Sequence, residues 1–254
     1  MKYIISLVLR YIPRPMLQRV SRFFVWFLAL FYRGKKVQCP ICQHRYHKFL
    51  PYGRKGRPNA LCPNCLALER HRLLWLFLQQ KTDFFSRPKK VLHIAPEVCF
   101  TDRFEAMENI DYITADLESP WAKVKMDIHQ IPFEEDTFDV VMCNHVLEHV
   151  ENDIKAMQEI HRVLRPGGWA FLQIPFFIPV PEETQEDPNV TSSKERERKY
   201  GQNDHVRLYG KDYKQRLEKG GFKVTEDDFV TTIPFEDQKR FALDRGEMVY
   251  FCEK

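Results

Sequence analysis

Residues 91–97, VLHIAPE, form an apolar run that ends in a small residue, a proline and a carboxylate. A short apolar run bounded by turn residues is typical of a buried strand. In open α/β sheets, ligands bind outside the carboxyl ends of the strands, beside the turn that follows. Ala95, Pro96 and Glu97 therefore stand where a nucleotide-like ligand would approach the backbone.

Strands and helices alternate along the chain on both sides of this turn. Strands are predicted at 91–95, 111–115, 123–127, 138–143, 169–174, 222–227 and 247–252. Helices are predicted near 100–108, 150–164 and 211–220. This pattern predicts an α/β fold, doubly wound around a seven-stranded, mostly parallel sheet. The last strand follows its predecessor without room for a crossover helix, so we expect it to run antiparallel.

Two carboxylates stand at the predicted ends of neighbouring strands. Asp116 ends the second strand 21 residues after Ala95, and Asp127 ends the third. An acidic residue about 20 residues beyond the first turn is placed to accept hydrogen bonds from ribose hydroxyls. The spacing therefore predicts a cofactor that contains a nucleoside.

The sequence that follows resembles a known family. MDIHQIPFEEDTFDVVMCNHVLEHV at 126–150 and EIHRVLRPGGWAFLQIP at 159–175 are similar to motifs of the class I S-adenosylmethionine-dependent methyltransferases, in particular the type 11 branch. The resemblance covers residues 90–252, about two thirds of the chain. It implies a Rossmann-like sheet with a reversed last strand, in agreement with the strand pattern, and a methyltransferase that uses S-adenosylmethionine.

The resemblance also assigns roles to residues at the strand ends. Asp116, with Leu117 beside it, would hold the ribose hydroxyls. Asp127 and Ile128 would face the adenine, with the carboxylate accepting from the amino group. Asn144 would line the methionine side of the cofactor.

The turn after the first strand departs from the family pattern. His93 replaces the usual acidic residue, and the glycine positions hold Ala95, Glu97 and Cys99. We expect Ala95 to allow close approach of the cofactor and Glu97 to meet its ammonium group. A diphosphate would be repelled by Glu97 and would miss the N–H that Pro96 lacks. The turn therefore favours a cationic sulfonium cofactor over NAD.

Two histidines are candidates for a catalytic base. Methyl transfer is an in-line displacement, and a base is needed only where the nucleophile must lose a proton. His145 lies at the edge of the expected cofactor site, and His205 lies in a proline-rich segment, 175–209, that we expect to act as a lid. His205 begins a run similar to a His-x-Arg-x-Tyr run of the family, which implies that Arg207 and Tyr209 bind the acceptor.

Four of the seven cysteines form two CxxC pairs, CPIC at 39–42 and CPNC at 62–65. Each pair can offer two thiolates to one metal, and four sulfurs complete a tetrahedral Zn²⁺ site. Because no ligand position would stay open, we expect a structural zinc. Redox pairs or plain buried cysteines are the alternative interpretation. The expected ligands are Cys39, Cys42, Cys62 and Cys65.

Basic residues dominate the beginning of the chain. Residues 1–68 contain 13 lysines and arginines and no carboxylate, whereas the remaining residues carry a formal charge of −9. Such a head suits the phosphates of nucleic acid, anionic lipid or a phosphorylated substrate. Residues 23–32 are ten consecutive apolar residues, and a membrane span needs about 20. We expect an amphipathic helix that packs either on the protein or on an anionic membrane surface.

These features divide the chain into four predicted segments. They are a basic, aromatic helical segment at 1–36, a zinc-ribbon-like module at 37–66, a linking helix at 67–89 and a methyltransferase domain at 90–254. No secretory signal is evident, and the odd number of cysteines suggests a reducing compartment. The predicted location is the cytoplasm, at the inner face of the membrane where the first segment binds lipid.

The sequence leaves three functions open. We expect an S-adenosylmethionine-dependent methyltransferase whose acceptor is a small molecule, a sugar or a lipid-linked intermediate. The first alternative is an RNA methyltransferase guided by the zinc module, whose basic residues alternate with aromatic ones. The acidic charge of the later residues and the lack of an Asn-Pro-Pro-Tyr type motif disfavour it. The second alternative is a non-catalytic, zinc-containing binding module, supported only by the altered first turn.

Overall fold

The structure is a computed structural model that describes residues 29–53, 56–119 and 122–254. Most of the predicted N-terminal helix, together with its expected membrane contact, lies outside the described residues. Within the described ranges, no helix is long and apolar enough to cross a membrane. The helical segment predicted at 1–36 does not extend to its expected end, because a strand begins at Arg33.

Short strands near the beginning of the described chain give way to alternating strands and helices. The strands are β1 (Arg33–Gln38), β2 (Arg45–Tyr46), β3 (Leu50–Tyr52), β4 (Arg57–Leu61), β5 (Lys89–Ile94), β6 (Ile110–Asp116), β7 (Val124–Lys125), β8 (Phe138–Asn144), β9 (Leu164–Gln173), β10 (Gln185–Glu186), β11 (Arg207–Leu208), β12 (Lys223–Asp227) and β13 (Val249–Glu253). The helices are α1 (Glu69–Lys81), α2 (Val98–Glu105), α3 (Asp153–Val163), α4 (Ser193–Tyr200), α5 (Tyr213–Lys219), α6 (Phe229–Thr232) and α7 (Phe235–Phe241).

The described residues form two compact units. The first comprises residues 29–77 and 230–246, and the second comprises residues 78–229 and 247–254. The methyltransferase domain predicted at 90–254 is therefore interrupted. Its residues 230–246 group with the cysteine-rich segment. Local sequence patterns do not predict this long-range association.

A buried arginine holds the parts of the first unit together. Arg72 of α1 is fully buried. Its guanidinium donates to the carbonyl oxygens of Ala60 and Ala67 at 2.8 and 2.9 Å. It also donates to the carbonyl oxygens of Phe241 and Ala242, both at 2.7 Å. A buried cation needs such partners for its N–H groups, and these bonds explain why residues after 230 belong to this unit.

The second unit contains the predicted seven-stranded sheet, in the order β12-β13-β9-β8-β5-β6-β7. β5 is parallel to β6 and to β8, and β8 is parallel to β9. β13 runs antiparallel to β9 and β12. The doubly wound fold class and the reversed last strand are confirmed. The strand order reverses at β5 and β8, so the crevice of the fold lies at their carboxyl ends.

The fifth strand of this sheet begins earlier than the sequence predicts. It starts at Leu164, which pairs with Phe138, and the register then shifts so that Trp169 pairs with Val140. Gly167, with φ of +78°, permits this irregularity. The RPGG stretch is therefore a bulged part of the strand and not a turn before it.

The central strands and the helix after β8 form a rigid support for the carboxyl ends of β5 and β8. β8 is buried at six of its seven positions, as expected for a central parallel strand covered on both faces. α3 begins where Asn152 caps it, since the Asn152 side chain accepts the Lys155 N–H at 2.9 Å. The segment expected as a lid contains the antiparallel β10–β11 pair and α4.

Candidate active site

Two residues other than glycine adopt left-handed backbone conformations at the switch point of the sheet. Ala95, after β5, has φ of +51°, and His145, after β8, has φ of +56°. The Ala95 N–H donates to the Ala115 carbonyl at 2.9 Å, and the His145 N–H donates to the Gln173 carbonyl at 2.7 Å. Such conformations cost about 1–3 kcal/mol and cluster at functional sites. Adjacent strands hold both turns in this state, which marks this edge as the candidate site.

The left-handed turn at Ala95 gives a testable consequence for stability. Ala95→Gly is expected to raise the free energy of unfolding by about 1 kcal/mol, because glycine adopts positive φ without strain. Denaturant unfolding measures the change. Ala156→Gly, the same substitution inside α3, is the matched control and should destabilise by about 1 kcal/mol. If both variants changed the free energy of unfolding in the same direction, backbone strain at Ala95 would be contradicted.

Glu97 joins side chains of two neighbouring strands. Its Oε2 is hydrogen-bonded to His93 Nε2, and its Oε1 accepts from Asn144 Nδ2 at 3.0 Å. His93 is fully buried, and its Nδ1 lies 2.7 Å from the Tyr112 hydroxyl. The structure thus brings three of the predicted cofactor residues together and adds Tyr112, which the sequence analysis missed. Asn144 Oδ1 is buried and has no hydrogen-bond partner among the described residues.

Asp116 lies at the carboxyl end of β6, as predicted. Its Oδ1 accepts the backbone N–H groups of Glu118 and Ser119 at 2.8 and 2.7 Å, which fixes the turn. A carboxylate offers about four acceptor positions, so these two bonds leave capacity for ribose hydroxyls. Leu117, beside it, is 57% exposed and presents an apolar surface at the same strand end.

Asp127 lies just beyond β7, next to the end of β6, since the Met126 N–H donates to the Asp116 carbonyl at 3.1 Å. Its Oδ1 accepts from the backbone N–H of His129 at 2.9 Å and lies 2.7 Å from His129 Nδ1. These bonds hold the pKa of Asp127 below its ordinary 3.8. The carboxylate stays ionised and exposed, whereas Ile128 is buried.

His145 stands between this region and a buried carboxylate. Its Nδ1 lies 3.4 Å from Glu148 Oε1, and the Glu148 side chain is only 2% exposed. His145 Nε2 has no hydrogen-bond partner among the described residues. An imidazole oriented by a carboxylate is suited to general base catalysis. The catalytic role of His145 stays a prediction.

His205, the second predicted base, is buried in the lid segment. Burial lowers its pKa below the ordinary 6.5. Its ring lies 4.8 Å from the ring of His149 in an edge-on arrangement. The structure therefore brings His205 together with His149 and Glu148. From sequence alone, Glu148 and His149 are interpreted as capping and bracing α3, but the residue that caps this helix is Asn152. The His-x-x-Glu-His spacing at 145–149 was the sequence signal that these side chains could instead form a polar cluster.

Arg207 and Tyr209 are buried against the loop after β8, with side chains at most 2% exposed. The Arg207 guanidinium donates to the carbonyl oxygens of Leu147 and Glu151 at 2.5 and 2.8 Å. The Tyr209 hydroxyl donates to Asp153 Oδ2 at 2.9 Å. In this arrangement both side chains fix the loop that carries Glu148 and His149. Their predicted contact with the acceptor stays a prediction.

Asp153 is the carboxylate at the centre of this buried polar network. Arg216 donates to both of its oxygens at 2.7 and 2.9 Å, and Arg207 Nε lies 3.9 Å from Oδ2. Burial by itself raises the Asp153 pKa, but the Arg216 bonds and the two arginine charges outweigh it and lower the pKa below the ordinary 3.8. The Asp153 carboxylate is therefore ionised, and its negative charge partly balances the positive charges of Arg207 and Arg216.

Asp153→Ala is expected to lower the free energy of unfolding by about 3 kcal/mol, because Arg207 and Arg216 lose their buried partner. Of the carboxylates in the described residues they keep only Glu186, whose side chain is 42% exposed. Since the folded pKa is depressed, the stabilisation is complete above pH 3.8 and is lost as the pH falls through the lowered pKa. Denaturant unfolding between pH 3 and 7 measures both effects. Asp111→Asn, on exposed β6 surface, should change stability by less than about 0.5 kcal/mol. Equal losses in both variants would contradict the network.

The four predicted zinc ligands converge in the first unit. Sγ of Cys39 lies 3.5 Å from that of Cys65, and Sγ of Cys42 lies 3.6 Å from that of Cys62. All four sulfurs lie within 4.8 Å of one another. Zn–S bonds of about 2.3 Å in a tetrahedron place sulfurs about 3.8 Å apart. The cluster therefore fits a structural zinc ion.

The two CxxC turns share one backbone geometry. The Gln43 N–H donates to the Cys39 carbonyl at 2.8 Å, and the Leu66 N–H donates to the Cys62 carbonyl at 3.0 Å. Gln43 and Leu66, which follow the second cysteine of each pair, have φ of 62° and 63°. Each turn thus presents its two thiolates in the same way, as two equivalent halves of one metal site.

Comparison with known proteins agrees with this geometry. Residues 94–172 match the family described as "Methyltransferase domain". This region, which is less than half of the chain, is similar to methyltransferase domains. The motifs that carried the resemblance in the sequence overlap the matched region of the methyltransferase domain, and the strand ends that bear Ala95, Asp116 and Asn144 lie within it.

Relatives of the methyltransferase domain match short parts of the chain. Sterol 4-C-methyltransferase strm-1 of Caenorhabditis elegans is 47% identical over 45 residues, 18% of this chain and 14% of that protein. A tRNA U34 carboxymethyltransferase of Campylobacter curvus is 29% identical over 107 residues, 42% of this chain and 34% of that protein. The chain thus spans about a third or less of either relative. A solved SAM dependent methyltransferase from Archaeoglobus fulgidus is 17% identical, covers 72% of this chain and 93% of that chain, and gives a TM-score of 0.43.

The residues of the methyltransferase domain fit S-adenosylmethionine. Asn144 Oδ1, a buried acceptor without a partner, and the Glu97 carboxylate suit an ammonium group. The Asp116 carboxylate at the end of β6 suits ribose hydroxyls, and the ionised Asp127 suits the adenine amino group. The contacts of the individual residues remain predictions, since they follow from placement and donor chemistry.

Proposed function

We propose that this chain transfers a methyl group from S-adenosylmethionine to a small-molecule, sugar or lipid-linked acceptor. The network of Glu97, His93 and Asn144 carries the proposal, because it leaves a buried acceptor atom beside a carboxylate at the switch point. A bound sulfonium donor supplies an activated methyl group, so the protein needs mainly to align the acceptor and exclude water.

His145 is our candidate for the proton acceptor where the acceptor is a hydroxyl. His145 directly follows β8 and has a left-handed backbone conformation. Its Nδ1 lies 3.4 Å from Glu148 Oε1. Glu148 would keep the imidazole oriented and would stabilise its protonated form. In this mechanism the chain holds the donor with strand-end residues and removes the acceptor proton with His145.

An apolar run at the start of the lid segment supports an acceptor with apolar parts. Phe176 and Phe177 precede Ile178, whose side chain is 94% exposed. Phe177 packs edge-on against His205 with 6.0 Å between the ring centroids. These three consecutive apolar side chains near His205 could contact a lipid-like or aromatic acceptor, and one relative is a sterol methyltransferase.

RNA is the second candidate acceptor. The tRNA U34 carboxymethyltransferase relative aligns with 107 residues, which favours it. The predicted zinc module has fewer aromatic side chains available for RNA than its sequence suggests. Tyr46 and Phe49 are buried at 2% and 1% exposure and cannot stack on bases. Tyr52 is exposed, whereas the Arg57 charge is paired with Glu69 at 3.2 Å. These observations favour the small acceptor.

Two measurements test the proposed function. Calorimetric titration of the zinc-loaded full chain with S-adenosylmethionine tests cofactor binding, and absence of binding would leave only the non-catalytic alternative. Incubation with methyl-labelled donor and fractionated cell extract tests the acceptor. We expect label in the lipid or small-molecule fraction. Label in RNA, lost steeply as salt increases, would replace the small acceptor with the RNA alternative.

A further inference from the structure

Three side chains outside the expected cofactor contacts converge on one point. Glu148 and His149 follow β8, and His205 comes from the lid segment. One carboxylate oxygen of Glu148 and one nitrogen of each ring all lie within 4.8 Å of one another. Glu148 and His205 are 2% and 1% exposed. Two of its three members are therefore buried, whereas the His149 side chain is 34% exposed and opens the cluster to solvent.

The hydrogen bonds of the two histidines fix which nitrogen faces the cluster. His205 Nδ1 lies 3.2 Å from the Tyr200 carbonyl oxygen, and His149 Nδ1 lies 3.3 Å from the Asp204 carbonyl oxygen. A carbonyl oxygen only accepts, so each Nδ1 must carry the proton and donate it. In the neutral imidazole, each Nε2 then keeps its lone pair. Backbone carbonyls that hold Nδ1–H in this way are the usual support of metal-binding histidines.

Two atoms that face the cluster have no hydrogen-bond partner among the described residues. His205 Nε2 and Glu148 Oε2 are buried without a hydrogen bond among the described residues. His149 Nε2 lies 3.9 Å from Glu148 Oε1. His205 Nε2 and Glu148 Oε2 are thus two buried acceptor atoms without a donor in the described part of the chain, an arrangement that is costly. A cation satisfies all three groups at once.

We propose that Glu148, His149 and His205 bind one divalent first-row metal ion. Two imidazoles and one carboxylate leave open coordination positions, as in sites that bind Fe²⁺, Mn²⁺ or catalytic Zn²⁺. Ligand atoms of such an ion lie about 3–4 Å apart, so atoms up to 4.8 Å apart need to close by about 1–2 Å. His145, 3.4 Å from Glu148, places the open positions toward the acceptor. That orientation rests on the proposed function, whereas the metal site itself does not.

Mn²⁺ is the probe that separates this site from the cysteine cluster, because thiolates disfavour it. The full chain, loaded with no more than one equivalent of zinc so that only the cysteine cluster is filled, is titrated with Mn²⁺, and the paramagnetic resonance signal of free Mn²⁺ is followed. We expect about one Mn²⁺ bound per chain, with the affinity reduced about tenfold or more in Glu148→Gln and in His205→Ala. His161→Ala, a half-buried histidine of α3 outside the cluster, should bind like the parent. A melting curve of each variant shows that it is folded.

The outcomes separate this inference from the proposed function. No Mn²⁺ uptake by the folded parent chain, or equal uptake by Glu148→Gln and His205→Ala, overturns the metal site. A chain that binds Mn²⁺ but not S-adenosylmethionine keeps the metal site and loses the methyltransferase proposal. A chain that binds only S-adenosylmethionine keeps the proposed function and loses this inference.

Discussion

Cys62→Ser is expected to abolish zinc binding at the four-cysteine cluster, which we predict to hold one zinc ion, and to unfold the hairpins of the first unit. Cys62 Sγ is fully buried, 3.6 Å from Cys42 Sγ. Structural zinc contributes about 10–16 kcal/mol to small sites of this kind, far more than short hairpins gain from packing. Serine offers a weaker ligand, so most of this stabilisation is lost. Zinc content of the purified chain and protease protection of the segment after Arg45 measure the loss.

Cys99→Ala is the matched control for this experiment. Cys99 is buried at 4% exposure in α2 and does not belong to the cysteine cluster. Its replacement should cost about 1–2 kcal/mol of packing and leave one zinc ion bound. If Cys62→Ser retained a full equivalent of zinc and normal protease protection, the four sulfurs would not form one metal site. The redox or buried-cysteine interpretation would then take its place.

The zinc cluster and the sheet were predictable because both depend on short sequence spacings. Two CxxC turns bring their own ligands together, so only one distant contact has to be inferred. Apolar runs such as that ending at Ala95 set each strand independently. Asp116 could be assigned from its spacing and because parallel strands end at one edge of the sheet, whereas Asn144 was assigned from the family resemblance. Local patterns thus carried the fold class and the positions of the strand-end residues.

Associations between distant parts of the chain could not be read from such patterns. Arg72 looks like a surface residue of an amphipathic helix, yet it is fully buried and bonds to carbonyls near Phe241. Tyr46 and Phe49 alternate with basic residues as an RNA-binding surface would, but they belong to the core of the first unit. Sequence spacing gives the residue type and its neighbours along the chain. It does not give the partner that covers it.

The first turn shows how a local rule can be met by another residue. A glycine was expected where Ala95 stands, because the backbone there must approach a ligand closely. Ala95 adopts the left-handed conformation that glycine would adopt, and the hydrogen bond to Ala115 holds it there. The altered motif therefore preserves the shape of the turn at a cost in backbone strain.

Asp116→Asn is expected to weaken S-adenosylmethionine binding about 30-fold or more. Asparagine keeps an oxygen that can accept the N–H groups of Glu118 and Ser119, so the turn stays closed. It removes the negative charge and replaces one acceptor oxygen with a donor. Hydrogen bonds to a charged group contribute about 1.5–3 kcal/mol each, and about 1.4 kcal/mol corresponds to a tenfold change in affinity. Calorimetric titration of the folded variant with the cofactor measures the loss.

Glu118→Gln is the control, because it removes a nearby exposed charge from the same turn without changing the strand-end carboxylate. It should bind S-adenosylmethionine within about twofold of the parent, since exposed charges are screened by solvent and salt. A similar loss in both variants would indicate a general effect of negative charge on a cationic cofactor. Unchanged binding in Asp116→Asn would mean that the ribose is held elsewhere. In that case the end of β6 would serve the fold alone, through the turn that Asp116 closes.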